Sequence, residues 1–263
     1  MIRVLSLGAG VQSTTMALMA AHGEIGPMPD CAIFADTGWE PSAVNSHLRW
    51  LCSPNVLPFP VHVVSVGNIR SDIIARSKTA AGRIAAVPWF MLMPDGKKAM
   101  GRRQCTKEYK LVPIRRKVRE LLGGKTPKGG AEVWVGISTD EAIRMKPSRL
   151  QYMVNRWPLI EKGMNRQDCL AWLKRNGYPE APKSSCIGCP FHSDAQWRDI
   201  KADPVAWADA VEVDRAIRDQ PGFRGKQFMH RSLVPLDEVD LRTHAEKGQP
   251  DLFNNDCEGM CGV

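Results

Sequence analysis

Short apolar runs alternate with longer amphipathic segments along the first half of the chain. Apolar runs bounded by glycine and polar residues predict buried strands, whereas apolar residues spaced three and four apart predict helices. We predict strands at 4–7, 32–34, 61–66 and 132–137, and helices at 16–21, 43–51, 69–75 and 111–122. Because strands alternate with helices, we expect a doubly wound, Rossmann-like α/β fold with a mainly parallel sheet and helices on both faces.

The second half of the chain carries a different pattern. Helices are predicted at 166–175, where Asn165 can act as N-cap, and at 195–219, with an interruption near Pro204. Residues 76–104 and 220–263 show little regular pattern, and we interpret 76–104 as a substrate-side loop or lid. We therefore predict an α/β domain over residues 1–160 and a smaller helical and irregular, cysteine-containing region over residues 161–263, packed on it.

Composition and charge narrow the class of protein. The chain has 263 residues, of which 43% are hydrophobic and 24% charged, as is usual for a globular protein with one sizeable core. No apolar run approaches the ~20 residues of a membrane span, and the N-terminus lacks a secretory pattern, so we expect a cytoplasmic protein without a membrane partner. The net charge of +8 favours polyanionic partners such as nucleotides and nucleic acids.

The first strand leads directly into a glycine-rich turn and then into a helix. In such a turn, backbone N–H groups and hydroxyls can converge on phosphate oxygens, and the helix dipole favours their charge. The turn lacks the Gly-Lys-Ser/Thr of a Walker A loop and the third glycine of a dinucleotide-binding turn. A glycine-rich turn without a ligand is the alternative. The candidate nucleotide-binding residues here are Ser6, Gly8, Ala9, Gly10, Gln12 and Ser13.

Polar residues follow two further predicted strands at the point where each one ends. Asp36 follows the second strand, next to Phe34, and Gly136, Asp140 and Arg144 follow the fourth. Ligands of open α/β sheets bind beyond the carboxyl ends of the strands. Phe34 can therefore contact an adenine, and Asp36 can bind a ribose or a metal such as Mg²⁺, although both segments are also compatible with an ordinary turn and a helix cap.

Cations are concentrated between residues 102 and 119, where eight residues are Lys or Arg and one is acidic. Arg and Lys suit phosphate or sulfate, so Arg103 and Lys110 are candidate catalytic residues. Cys105 lies among these cations, which stabilise a thiolate. A solvated basic helix face is the alternative interpretation.

The eight cysteines fall into two groups. Three lie in apolar or helical contexts and are interpreted as small core residues: Cys31, Cys52 and Cys169. Cys186 and Cys189 form a C-x-x-C pair followed by proline, which is common beside iron–sulfur clusters, with a structural zinc as the runner-up. The further candidate ligands are Cys105, Cys257, Cys261 and His192, with Cys105 and Cys261 preferred. Cys257 or Cys261 can instead act as a nucleophilic thiol, or the tail can be a disordered terminus.

Together these motifs resemble the PP-loop adenine-nucleotide hydrolase superfamily and, within it, the phosphoadenosine phosphosulfate (PAPS) reductase-like family. The resemblance covers roughly residues 1–200 and implies a phosphate-binding loop, chemistry at an adenine nucleotide and often a [4Fe–4S] cluster. It rests on the segments 6–13, Asp36-Thr37-Gly38, Cys105-Thr106 with Lys110 and Pro113, Gly136-Ile137 with Asp140-Glu141 and Arg144, Trp157-Pro158-Leu159-Ile160, and 183–190.

The chain departs from the family patterns at several positions. Gly8, Ala9 and Gln12 replace Ser, Gly and Asp of the ATP pyrophosphatase loop Ser-Gly-Gly-x-Asp-Ser, and Gly-Val-Gln is closer to the Gly-Ile-Gln of sulfonucleotide reductases. Cluster-bearing reductases carry adjacent cysteines where this chain has only Cys105. The sequence around Cys257 is only loosely similar to their catalytic tail.

Three functions are compatible with the resemblance. The favoured one is ATP-dependent sulfur transfer, in which a nucleobase or nucleic acid is adenylated and then thiolated with the help of a sulfur donor protein. The second is reduction of a sulfonucleotide (PAPS or APS) by a C-terminal cysteine and an electron donor protein. The third is a nucleotide-binding or zinc-stabilised module without catalysis. A homodimer is considered as an assembly state in each case.

The cluster interpretation predicts a brown protein after anaerobic purification. Because two of the four thiolate ligands would come from the C-x-x-C pair, C186A and C189A should each lose the colour together with iron and acid-labile sulfide. A colourless anaerobic sample that contains one zinc per chain would contradict the prediction.

Overall fold

The structure, a computed structural model, describes residues 1–79, 82–242 and 246. These residues form two compact units. The first unit contains residues 1–66 and 109–184, and the second contains residues 67–108 and the described residues from 185 onward. This division differs from the one expected at residue 160, because the chain enters the second unit already at residue 67.

The described residues contain both short strands and helices of up to 14 residues. The strands are β1 (Ile2–Leu7), β2 (Cys31–Ala35), β3 (Val61–Val64), β4 (Phe90–Leu92), β5 (Lys98–Met100), β6 (Ala131–Val135), β7 (Met153–Arg156) and β8 (Lys226–Phe228). The α-helices are α1 (Val11–Ala21), α2 (Ser42–Leu51), α3 (Ile69–Ile74), α4 (Val112–Leu121), α5 (Pro158–Glu161), α6 (Arg166–Arg175), α7 (Asp194–Ala202) and α8 (Pro204–Ile217). A π-helix (Thr106–Leu111) precedes α4, and two 3₁₀-helices occupy Thr139–Arg144 and Leu236–Glu238. No described helix is long and apolar enough to cross a membrane.

The first unit is built on a parallel sheet of strand order β3-β2-β1-β6-β7. The predicted α/β fold class with a mainly parallel sheet is therefore confirmed. The chain moves outward from β1 to β3 and then returns to the other side of β1 at β6. The direction of winding thus reverses between β1 and β6, which makes this position the topological switch point of the sheet.

Side chains of the central strands alternate between two apolar cores. Leu5 and Trp134 belong to the core that includes α1 and α6, whereas Val4 and Val133 belong to the core that includes α4. A period of two is expected for a strand that is covered on both faces. Each fully buried Leu or Val contributes about 1.5–3 kcal/mol to folding. The sheet is therefore held by helices on both faces, as a doubly wound fold requires.

The second unit contains an antiparallel sheet of order β5-β4-β8 and the helices α3, α7 and α8. Asp214 of α8 is completely buried and links β8 to this helix. Its carboxylate accepts the N–H of Met229 at 2.8 Å and that of Leu236 at 3.1 Å, and it pairs with Arg218. Burial of a carboxylate without partners would lower the stability of the fold, so these bonds fix the position of the chain after α8 against this helix.

Most predicted elements are confirmed, and the exceptions are short. Residues 195–219 form two helices separated at Asp203, as the proline at 204 indicated. The interpretation of 76–104 as a loop is wrong for β4 and β5, and β8 and β7 also went unpredicted. Three residues are too few to display a period of two, so only pairing with a neighbour reveals β4, β5 and β8. The four residues of β7 include Asn155 and Arg156, whereas the equally short β3 lies in the mainly apolar run 61–66 and was predicted from it.

Two of the three cysteines assigned to the core are buried. Cys31 and Cys169 expose 4% and 0% of their surface, which confirms the assignment, whereas Cys52 is exposed, so its assignment is wrong. Cys52 follows the last residue of α2, and its N–H bonds the carbonyl of Leu48 at 2.9 Å. Burial raises the pKa of Cys31 to about 11 and that of Cys169 to about 12.

This difference predicts selective thiol labelling. In the folded protein at pH 8, iodoacetamide should modify Cys52 at least about 100-fold faster than Cys31 or Cys169, because the buried thiols are shielded and because burial raises their pKa further than that of Cys52. Peptide mass spectrometry after timed quenching measures the rates. All three should react at similar rates in denaturant, and fast labelling of Cys169 in the native protein would contradict the assigned core.

Candidate nucleotide site at the carboxyl edge of the sheet

The loops after β1 and β6 touch at the switch point of the sheet. A Cβ atom at Gly136, directly after β6, would lie 3.1 Å from the backbone nitrogen of Ser13 and 3.2 Å from its Cα. Such distances are shorter than ordinary carbon contacts. Gly136 is therefore the residue that lets the β6 loop approach the turn between Gly8 and Ser13.

The turn after β1 folds around the hydroxyl of Ser13. The N–H of Gly8 donates to Ser13 Oγ at 3.1 Å, and Ser13 Oγ donates to the carbonyl of Gly10 at 3.3 Å. Between them Ala9 adopts a left-handed conformation with φ of 55° and is fully buried. A left-handed alanine is uncommon, and a change of handedness within a turn can gather successive N–H groups on one side.

The N-terminus of α1 is arranged to favour an anion. Gly10 is its N-cap, makes no side-chain cap, and no acidic residue lies in the first turn. The first intrahelical bond runs from the N–H of Thr14 to the carbonyl of Gly10 at 2.9 Å, so the N–H groups of residues 11–13 precede the helical ladder. With the helix dipole, these donors form the kind of site that binds phosphate.

Ser184 packs directly against the turn in the same unit. A Cβ at Gly10 would lie only 2.7 Å from Ser184 Oγ, and a Cβ at Gly8 would lie 3.7 Å from it. Sequence reasoning selected the segment 183–190 for its cysteines and did not assign Ser184. The sequence signal is weak, since a serine 174 residues after a glycine gives no sign of contact with it.

Helix α1 is also tied to α2 behind the turn. Thr14 Oγ1 and His47 Nε2 lie 2.9 Å apart, and both residues are buried. Burial lowers the pKa of His47, which favours the neutral ring. The neutral imidazole therefore helps to hold α1 in place without adding a charge behind the anion-favouring N-terminus.

The loop after β2 holds a second polar group at the same edge. Asp36 Oδ1 accepts the N–H of Gly38 at 2.7 Å, which forms a tight turn, and Asp36 is half-buried. Thr37 donates its hydroxyl to Glu40 Oε1 at 3.0 Å, and Lys110 Nζ lies 3.9 Å from the same oxygen. Glu40, which sequence reasoning missed, is 7% exposed and holds Lys110 near this edge.

The remaining predicted nucleotide-binding residues occupy different surroundings. Ser6 lies within β1, and Phe34 is 3% exposed within the core, which leaves almost no ring surface for an adenine. Gln12 Nε2 donates to the buried Ser138 Oγ at 3.4 Å. Arg144 and Asp140, which follow β6, both have protein partners. Arg144 pairs with Glu141, and Asp140 Oδ1 accepts the N–H of Arg166 at 3.2 Å.

In the second unit, His192 shapes the C-x-x-C turn. The N–H of Cys189 donates to the carbonyl of Cys186 at 3.0 Å, and His192 Nε2 lies 3.0 Å from that carbonyl and 3.1 Å from the carbonyl of Ile187. Because carbonyl oxygens only accept, the ring proton is on Nε2. His192 also packs edge-on against Trp197, with ring centroids 4.8 Å apart.

Arg103, from the part of the basic segment that belongs to the second unit, lies near this turn. Arg103 Nε donates to Thr106 Oγ1 at 3.0 Å, and its guanidinium lies 5.7 Å from the ring centroid of Phe191, two residues after Cys189. One terminal nitrogen of Arg103, Nη2, is buried and has no hydrogen-bond partner among the residues that the structure describes. A buried guanidinium N–H of this kind is suited to an anionic group of a ligand.

The predicted metal ligands do not assemble within the described residues. No group of three or more His, Cys, Asp or Glu among them is arranged to hold a metal ion, although Cys105, Cys186 and Cys189 all belong to the second unit. Cys257 and Cys261 lie outside the described residues. The described cysteines by themselves therefore do not fit a cluster or zinc site.

Comparison with known proteins gives distant similarities. No family model matches the chain. The chain is 22% identical over 269 residues to the uncharacterized nin region protein ORF290 of Escherichia phage lambda, which covers 97% of this chain and 89% of that protein. It is similar to a solved structure of phosphoadenylyl-sulfate (PAPS) reductase from Candida auris in a phosphate complex, with a TM-score of 0.45 and 14% identity over 68% of this chain and 74% of that one.

Proposed function

We propose that this protein is a PP-loop enzyme that binds an adenine nucleotide with its phosphates on the turn between Gly8 and Ser13, and that it uses ATP to drive sulfur transfer to a nucleobase or nucleic acid. The observation that carries the proposal is the set of N–H and hydroxyl donors at the start of α1, located at the topological switch point of a parallel sheet. The resemblance to the PAPS reductase-like family supports the adenine nucleotide.

The turn would stabilise phosphate in three ways. The N–H groups of residues 11–13 point out of the helix start, and the dipole of α1 adds about half a positive charge. The hydroxyl of Ser13, now bonded to the Gly10 carbonyl, can reorient toward a phosphate oxygen. Asp36, at the same edge, would bind the ribose or a Mg²⁺ ion that accompanies the phosphates.

The reaction has two steps in this proposal. A carbonyl oxygen of the acceptor attacks the α-phosphorus of ATP and pyrophosphate leaves, which yields an adenylated acceptor. A sulfur nucleophile then displaces AMP and forms the thiocarbonyl. Lys110, which belongs to the same unit as the turn, would neutralise part of the developing phosphate charge. No step is assigned to an iron–sulfur cluster, because the described cysteines do not form its site.

Reduction of a sulfonucleotide is a second candidate, and Gln12 favours it. Its amide occupies the position where ATP pyrophosphatases carry an aspartate, and it donates to Ser138 Oγ. A neutral amide would not repel a sulfate group as a carboxylate would. In this case the thiolate of Cys257 or Cys261 would attack the sulfur and displace the nucleotide phosphate, which leaves an S-sulfocysteine. A thiol of the donor protein would then attack the cysteine sulfur, form a disulfide with it and release sulfite.

Product analysis separates these functions. The full-length protein is incubated anaerobically with ATP, sulfide and bulk nucleic acid, or with PAPS or APS and a dithiol. We expect pyrophosphate and AMP from the ATP mixture at well above the rate of the G10A variant. Sulfite from the second mixture would instead support the reductase, and the absence of turnover in both would leave only a binding function.

Nucleotide binding itself is tested at Gly10. Its substitution by alanine places a Cβ 2.7 Å from Ser184 Oγ, so the turn or Ser184 must move. We expect G10A to weaken ATP binding at least about tenfold, or about 1.4 kcal/mol, by isothermal titration calorimetry.

The double variant G10A/S184A is the matched control. Without Oγ, the nearest atom of residue 184 to the Cβ at position 10 is its own Cβ, at 3.4 Å, so most of the clash is relieved. Affinity should return to within about threefold of S184A alone. Unchanged ATP binding in a folded G10A protein would show that the nucleotide does not use this turn.

A further inference from the structure

A groove of about 480 Å³ in the first unit is lined by arginines from α4. Arg115, Arg116 and Arg119 form one side, and Leu150 and Tyr152, just before β7, contribute to its lining. These two residues are next to the beginning of the sheet, since the carbonyl of Tyr152 accepts the N–H of Ala131, the first residue of β6, at 2.9 Å. The groove therefore lies toward the amino edge of the sheet.

The arginines of this groove carry uncompensated charge. Within the part of the chain that the structure describes, no ion pair or hydrogen bond involves the guanidinium groups of Arg115, Arg116 or Arg119. Glu120 also lines the groove, but its carboxylate pairs with Lys117 Nζ at 2.6 Å. Three like charges within two helical turns repel one another, so an anionic ligand would gain from all three.

The basic run between 102 and 119 thus divides into parts with different surroundings. Lys110 lies beside Glu40 in the loop after β2, at the carboxyl edge, whereas the three arginines line a groove toward the opposite edge. The strands between these edges have five or six residues and are about 17–20 Å long. A single mononucleotide cannot occupy both places, so the groove requires a separate or longer anion.

We infer that this groove binds the phosphate backbone of a nucleic acid, and the inference rests on the proposed function for the choice of this polymer. Guanidinium groups bind phosphates through paired N–H donors, and Arg115 and Arg119 lie one helical turn apart on α4, where side chains are neighbours. The net charge of +8 increases the attraction to any polyanion. The groove would hold the polymer away from the nucleotide, as a tether for the acceptor.

Salt-dependent binding tests the inference. The full-length protein is titrated into a fluorescein-labelled 20-mer oligonucleotide at several salt concentrations, and anisotropy gives Kd. In R115Q/R116Q/R119Q we expect Kd to rise at least about tenfold at moderate salt, and the slope of log K against log salt to fall by about 3, because each lost phosphate contact releases about 0.9 fewer counterions.

The triple variant K162Q/K174Q/R175Q is the matched control. It removes the same net charge from exposed positions on and before α6, and α6 packs against α1 in the other core of the sheet. Its Kd should remain within about threefold of the parent protein, with an unchanged slope. An equal loss in both triple variants, or an unchanged slope in the groove variant, would overturn the inference.

Two further measurements separate this inference from the nucleotide site. The groove variant should bind ATP as the parent does, and G10A should bind the oligonucleotide as the parent does. If G10A retains ATP affinity while the groove variant loses the oligonucleotide, the proposed function fails and the groove stands. If the groove substitutions abolish binding to phosphatidylserine vesicles and leave oligonucleotide binding unchanged, the groove serves a lipid surface and the inference fails.

Discussion

The close approach of Gly136 to Ser13 is the contact on which the candidate site depends. Parallel pairing of β1 with β6 brings the ends of these strands side by side. A Cβ atom at Gly136 would lie only 3.1 Å from the backbone nitrogen of Ser13, so the absence of a side chain there lets the second loop approach the first. The turn between Gly8 and Ser13 then closes around the Ser13 hydroxyl, with Ala9 in a left-handed conformation. The donors at the start of α1 are consequently held in place before any ligand arrives.

Charged side chains have different surroundings at the start of α1, at Lys110 and in the groove of α4. The start of α1 has no carboxylate in its first turn, and the histidine that bonds Thr14 has a lowered pKa and adds no charge there. Lys110 lies 3.9 Å from the buried Glu40 at the carboxyl edge of the sheet. The arginines of the α4 groove have no such carboxylate among the described residues, so they remain available to an external anion.

Several features of the site were predictable and others were not. The glycine-rich turn after β1 and the polar residues after β2 and β6 follow local rules, because a strand that leads into glycine and then into a helix is recognisable within ten residues. The contacts of Ser184 with Gly10 and of Glu40 with Lys110 join residues 174 and 70 positions apart along the chain. For Phe34 the local pattern misled in the other direction. Its position near the end of β2, two residues before Asp36, suggested contact with an adenine, whereas core packing leaves only 3% of its surface exposed.

The sequence by itself determined the α/β class, the positions of most helices and of strands β1, β2, β3 and β6, and the turn that follows β1, because each of these depends on local periodicity and on the conformational freedom of glycine. Only the tertiary structure decided the strand order, the short strands β4, β5, β7 and β8, and the assignment of residues 67–108 to the second unit. It also separated Lys110 from the arginines of the α4 groove. Pairing and side-chain contact between distant residues depend on packing of the whole chain, which no local pattern encodes.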